Sequence, residues 1–232
     1  MRIEKARVYV PEGQLDPAVM KRLERYARIC YKSEDKMDGE SGGFVGSLLK
    51  RGHASVIEHE KITVLMVTDR GVTHEVVRHR IGSFSQESTR YCNYSQDRFG
   101  REISVIEPVF FRGSNRYELW ERGCREAEKA YFELLDAGAS PQEARSVLPN
   151  SLKTEIAVTF NMRQWRHFFE LRCHRTAHPQ AREISIPLLR LFASRFPELF
   201  GDLDYDREFP AEYEARVILS NELFVPLEEI HE

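Results

Sequence analysis

The sequence has 232 residues and 34 Lys+Arg against 37 Asp+Glu, for a net charge of −3 and a pI of about 6.3. That balance excludes a generally basic nucleic-acid coat, and 41% hydrophobic and 31% charged residues at a mean hydropathy of −0.50 exclude a disordered or membrane-embedded chain. A monomer of this size buries roughly 70% of its extended-chain area, so one domain over 1–232 is expected, with at most a satellite lobe.

Residues 2–10 (RIEKARVYV) alternate as a strand does, and 16–31 set Val19, Met20, Leu23, Tyr26 and Ala27 at helical spacing. A polar loop at 32–42 precedes a short helix at 44–49 that stops near Gly52. The β-branched run 61–69 (KITVLMVTD) predicts a central strand, and its apolar stretch is far below the ~20 residues that span a bilayer. A helix follows at 72–79 and a loop at 82–89. Leu119, Trp120, Cys124, Ala127, Ala130, Tyr131, Leu134 and Leu135 mark a long amphipathic helix over 115–137, closed by Gly138. Pro141 opens a short helix that carries Arg145 and ends before Pro149. Alternation of Leu152, Thr154, Ile156, Val158 and Phe160 predicts a strand at 151–162, with helices at 163–173 and 177–196. Strands and helices do not alternate at βαβ spacing and no GxGxxG follows a strand, so the class is α+β.

Cys30, Cys92, Cys124 and Cys173 are far apart with no CxxC pair, and the opening MRIEKARVYV lacks the apolar core of a secretory signal. A reducing cytoplasmic home, with no membrane association, is expected.

The charge is segregated. Segment 78–90 carries Arg78, Arg80 and Arg90 against Glu87, and 163–182 carries Arg163, Arg166, Arg172, Arg175 and Arg182 against Glu170, leaving −9 for the rest. Ten carboxylates in 201–232 face only Arg207 and Arg216, and this acidic segment reads as a solvated face. Both basic segments use arginine without lysine, and its planar fork suits a bidentate grip on phosphate or carboxylate.

No GxxxxGK[ST], HExxH or GxSxG is present, which disfavours the marked NTPases, zincins and α/β-hydrolases. Arg78-His79-Arg80 at a helix end suits an anion better than a core, and Ser83, Ser85, Gln86, Ser88 and Thr89 then offer donors for a phosphate. The plainer reading is a helix C-terminus whose cations favour the dipole, followed by a solvated loop.

Arg78-His79-Arg80, seven residues, Ser88, then Arg90-Tyr91 resemble the signature of the flavin-dependent thymidylate synthases. Gly52-His53-Ala54-Ser55 with Glu58-His59, the run 144–149 (ARSVLP), Asn161 with Arg163, His167 and Leu171-Arg172 resemble further elements of that family, in order. The resemblance implies an α+β subunit of a homotetramer, with a central antiparallel or mixed sheet and long flanking helices. It implies reductive methylation of dUMP to dTMP, with 5,10-methylenetetrahydrofolate giving the carbon, FAD carrying hydride and NADPH as reductant. The residues it assigns to dUMP are Glu75, Val76, Val77, Arg78, Gln86, Glu87, Ser88, Thr89, Arg90, Arg145 and Arg172. To FAD it assigns Ser55, Arg78, His79, Arg80, Gln86, Asn161, Met162, Arg163 and His167, and it puts His53 on the folate side. Arg172 is the implied catalytic group, its guanidinium stabilising the N3-deprotonated pyrimidine. Ser88 has no adjacent base and reads as a phosphate ligand, while Cys92 and Cys173 read as neutral thiols. No metal is expected. The rival enzyme reading is a metal-dependent phosphohydrolase using His53, His59, His174 and His178, the last two four residues apart beside Cys173. A nucleic-acid-binding module would use the same arginines but is opposed by the acidic net charge.

Overall fold

The computed structural model describes residues 1–37, 39, 41–96 and 100–227; Glu228, Glu229 and Glu232 of the acidic segment lie outside them. In chain order the elements are β1 (Arg2–Glu4), β2 (Arg7–Pro11), α1 (Ala18–Ile29), α2 (Ser41–Lys50), β3 (Lys61–Asp69), α3 (Arg70–Val76), β4 (Ser83–Gln86), β5 (Ser104–Ile106), α4 (Arg116–Asp136), α5 (Pro141–Ala144), β6 (Lys153–Asn161), α6 (Met162–Arg172), α7 (Pro179–Arg195), α8 (Pro197–Phe200) and β7 (Arg216–Ser220). Five strands form a mixed sheet in the order β4-β6-β3-β2-β7, antiparallel except for β2 beside β7. β1 and β5 form a separate parallel pair. The class is α+β, as the sequence pattern implies.

The sheet is built on β3 and β6, paired from Lys61↔Asn161 to Asp69↔Lys153. Strict alternation along β6 buries Thr154, Ile156, Val158 and Phe160 on one face. Against that face α6 presents Trp165, Phe168 and Phe169 at helical spacing, and α7 adds Phe192. These rings are at most 1% exposed, and each contributes about 2–3 kcal/mol of burial as an upper estimate. The indole of Trp165 donates to the Ile62 carbonyl at 3.0 Å, so its one polar atom is satisfied. A smaller cluster of Tyr94, Ile103, Val105, Cys124, Tyr131, Ala144 and Leu152 sits under α4. Among the described residues no helix is long and apolar enough to cross a membrane.

Three expectations change. The strand predicted at 2–10 breaks at Lys5-Ala6, because β1 pairs with β5 while β2 joins the central sheet. The loop predicted at 82–89 opens as strand β4, which lies so tightly on β6 that a Cβ on Gly82 would fall 2.3 Å from the Phe160 ring. The acidic segment is not simply a solvated face. It supplies β7, and its Asp202, Asp206 and Glu214 pair with Arg166, Arg182 and Arg190.

Candidate functional site

Asp69, the last residue of β3, caps α3 by accepting from the Val72 amide at 2.7 Å, while its other oxygen accepts from the Gln180 side chain. The cap fixes a short helix whose C-terminal end delivers Glu75 and then Arg78-His79-Arg80. Arg78 and Arg80 are exposed and have no carboxylate partner among the described residues. His79 turns the other way. It is 4% exposed, with the rings of Phe160, His167 and Phe168 against it.

Arg172, at the end of α6, meets this segment from 93 residues away in sequence, its Nε donating to His79 Nε2 at 3.1 Å. Its Nη2 donates to the Glu75 carbonyl at 3.2 Å, and its Nη1 pairs with the Glu75 carboxylate. Burial first, then Arg172 and His167, lower the His79 pKa to about 4, so the ring is neutral.

The predicted phosphate segment is held from behind. The Gln86 amide donates to Thr73 Oγ1 at 2.9 Å and to Thr154 Oγ1 at 3.3 Å. Arg70 donates to the Glu87 carbonyl at 2.8 Å. The Glu87 carboxylate accepts from the Tyr94 hydroxyl at 2.9 Å and lies 3.5 Å from Lys153, so this side chain is committed to the scaffold. Burial and Glu87 push the Tyr94 phenol well above its usual range. Ser88 is half-buried and Thr89 buried, while Arg90 is exposed and donates to Gln142 of α5 at 3.2 Å. Arg145 lies one turn beyond Gln142, exposed and without a carboxylate partner among the described residues. A capping box between Ser140 and Glu143 fixes that segment. The Val76 and Met162 side chains belong to the core at 1% and 0% exposure, so only their backbone can face a ligand; Val77 is exposed.

Two clefts meet at Glu58. One, of about 610 Å³, is lined by Ala54, Glu58, Ile81, Asn161, Arg163 and His167 among others. The second, of about 860 Å³, has Tyr26, Tyr31, Phe44, His53, Ser55 and Glu58 on its walls. Glu58 pairs with Arg163 at 2.6 Å, and this pair stands between them. The structure therefore divides the predicted cofactor residues, with Ser55 beside His53 in one cleft and Asn161, Arg163 and His167 in the other. Asn161 caps α6 through its Oδ1, which accepts from the Gln164 amide at 2.8 Å, so only its amide nitrogen is free for a ligand. An amide donor at Asn161 beside Arg163 in one cleft and aromatic walls at Tyr26 and Tyr31 in the other, with the Phe44 ring covered by the Arg28 guanidinium at 4.2 Å, suit the phosphates and rings of a dinucleotide.

Not all the arginines of the basic segments are free for a ligand, although Arg166 lines the 610 Å³ cleft. Arg166 and Arg182 are turned to Asp202 and Asp206, which sequence spacing could not reveal. Arg70, Tyr94 and Lys153, which position Glu87, belong to no motif and carried no signal. The histidine set of the rival reading is not gathered. His174 pairs with Thr176 at 2.8 Å, His178 caps α7, and among the described residues no group of three His, Cys, Asp or Glu could hold a metal. Cys173 is buried, which pushes its thiol up to about 12.

Residues 15–198 match the model of a family described as thymidylate synthase complementing protein. A flavin-dependent thymidylate synthase of Geobacter sulfurreducens is 35% identical over 184 residues, 76% of this chain and 78% of the relative. One from Corynebacterium aurimucosum is 32% identical over 213 residues, 83% of this chain and 82% of the relative. Among solved structures, a UMP/dUMP methylase, PolB, from Streptomyces cacaoi bound with 5-Br dUMP superimposes with a TM-score of 0.68 at 27% identity, covering 87% of this chain and 96% of that one.

Proposed function

The chain belongs to the thymidylate synthase complementing protein family, and from that premise we propose that it is a flavin-dependent thymidylate synthase converting dUMP to dTMP by reductive methylation. 5,10-Methylenetetrahydrofolate donates the carbon and NADPH is the reductant. FAD, when bound, supplies the hydride carrier. The observation that carries the reading is Arg172, whose guanidinium is fixed by His79 and Glu75 where the RHR segment meets α6.

A guanidinium held in place beside the pyrimidine stabilises charge on the N3-deprotonated ring and raises electron density at C5. Glu75, Val76, Val77, Gln86 and Glu87 shape the dUMP pocket, Val76 and Glu87 by their backbones, with Ser88, Thr89 and Arg90 near the phosphate and Arg145 closing the other side. Arg78 is shared between nucleotide and cofactor. Ser55, Arg80, Gln86, Asn161, Arg163 and His167 hold FAD, with the His79 and Met162 backbones because both side chains are buried, and His53 borders the folate. The working unit is a cytoplasmic homotetramer of single-domain subunits with sites at subunit contacts. That assembly is supported by Ile81, Tyr91 and Leu171, at 70%, 73% and 48% exposure, each next to or one residue away from an arginine of the site.

The purified protein should be yellow, bleach anaerobically with NADPH, most readily with dUMP present, and release dTMP. A colourless preparation that neither binds added FAD nor forms dTMP would overturn the proposal. Arg172→Ala should retain flavin and lose turnover by about 10²-fold or more; unchanged turnover would refute the activation role.

A further inference from the structure

His79 is enclosed, and only one assignment of its two nitrogens satisfies its neighbours. Arginine donates and never accepts, so Nε2, which faces Arg172 Nε at 3.1 Å, carries the lone pair. The ring proton of the neutral imidazole is then on Nδ1. Beside Nδ1, at 3.3 Å, lies the side-chain amide nitrogen of Gln164, itself 7% exposed, so as placed two donors face each other. A buried ring N–H needs an acceptor, and the ends of an amide are distinguished only by the hydrogen bonds they make. Exchanging the two ends of the Gln164 amide removes the clash of donors and turns its oxygen to Nδ1.

We propose that Gln164 is a positioning residue for Arg172: it holds His79 in the Nδ1–H tautomer and so keeps the Nε2 lone pair aimed at the guanidinium. The inference rests on reading Arg172 as the group that activates dUMP. Gln164 sits in the first turn of α6, its backbone nitrogen tied to Asn161, and Arg172 ends the same helix. One rigid element therefore carries both the residue that fixes the tautomer and the residue that uses it, with His79 of the RHR segment between them. The other groups against the ring are Phe160 of β6 and Phe168 and His167 of α6. No other acceptor for Nδ1 occurs among the described residues. Without the Gln164 oxygen the Nε2–H tautomer becomes accessible, and two donors then face each other across the Arg172 contact.

Gln164 also lines the 610 Å³ cleft, so Gln164→Met, close in volume but without an amide oxygen, is assayed at saturating FAD, where kcat should fall about 10- to 100-fold through misplacement of Arg172. Gln164→Glu keeps an acceptor but adds negative charge beside Nδ1–H and favours the imidazolium, whose Nε2–H cannot accept from Arg172. Its rate should approach wild type at high pH and fall along an acid limb at least about one unit above any in the wild type. In ¹⁵N spectra of histidine-labelled protein, His79 should be protonated on Nδ1 in the wild type and lose that preference in Gln164→Met. Wild-type kcat and pH profile in both variants, or a wild-type His79 protonated on Nε2, would overturn the inference. If the Met variant fails to fold, the Glu profile and the wild-type spectrum decide. The tautomer measurement needs neither flavin nor dUMP, so its failure is separable from failure of the functional reading.

Discussion

Glu183, on α7, is 2% exposed, and its Oε2 has no hydrogen-bond partner. Burial raises its pKa to about 8; Arg112 opposes the shift, and Asp69 and Glu107 add to it. Burial also raises Asp69 to about 6, against the backbone donors of Val72 and Gly71. Asp69 therefore ionises first, and its charge helps keep Glu183 protonated. In the unfolded chain Glu183 releases its proton near 4.5, so between 4.5 and 8 the folded state holds the extra proton and stability falls as pH rises. At about 1.36 kcal/mol per unit, the loss reaches roughly 3 kcal/mol by pH 7 and roughly 5 kcal/mol above pH 8. Glu183→Gln removes this dependence. The amide brings its own constant cost for an unpaired donor, about 1–3 kcal/mol, but that cost has no slope. Urea unfolding of both proteins at fixed protomer concentration from pH 5 to 8 should show the variant gaining about 1.4 kcal/mol on the wild type per pH unit, levelling above pH 8. The contribution of Asp69 is common to both and cancels. Parallel stability curves would show that Glu183 is ionised in the fold and refute the reasoning.

Two other perturbations separate scaffold from site. Gly82→Ala drives a methyl into the Phe160 ring and should destabilise by about 1–3 kcal/mol in urea unfolding, with dTMP formation reduced because Phe160 backs His79; a change under about 0.5 kcal/mol would mean that β4 and β6 part freely. Arg166→Ala breaks a pair whose Asp202 side chain is 64% exposed and also removes a donor to the Leu199 carbonyl, so the cost should be about 1–3 kcal/mol, with flavin affinity unchanged by equilibrium titration because the guanidinium is turned to Asp202. A tenfold loss of flavin affinity would return Arg166 to the cofactor.

The parts of the fold with long, regular periodicity were legible in the sequence. Strand 61–69 appears with the predicted bounds, and the expected helix at 115–137 is α4, followed by Gly138 in the left-handed region at φ +94°. β4 was not legible, because Ser83-Phe84-Ser85-Gln86 is short and polar and is a strand only through its pairing with β6. β7 was hidden for a related reason: RVILS lies inside an acidic stretch whose composition masks it. At the site, the family resemblance named Arg172, His79 and Glu75 but not their joint geometry, since contacts across more than 90 residues leave no local trace. Spacing likewise could not divide the arginines into those kept free, such as Arg78 and Arg80, and those balanced by the C-terminal carboxylates. That division is decided by tertiary approach alone.

The pairing of β2 with β7 also constrains how the chain is made. Arg7 to Pro11 are synthesised about two hundred residues before their parallel partners, Arg216 to Ser220. Until then one edge of β2 displays unpaired amides and carbonyls, a template for association with other nascent chains. Closing that edge is a late event of high sequence separation, so sheet completion should lag the pairing of β2 with β3. Chains stopped before residue 216 should accumulate as aggregates, although they retain every residue proposed to contact dUMP or FAD.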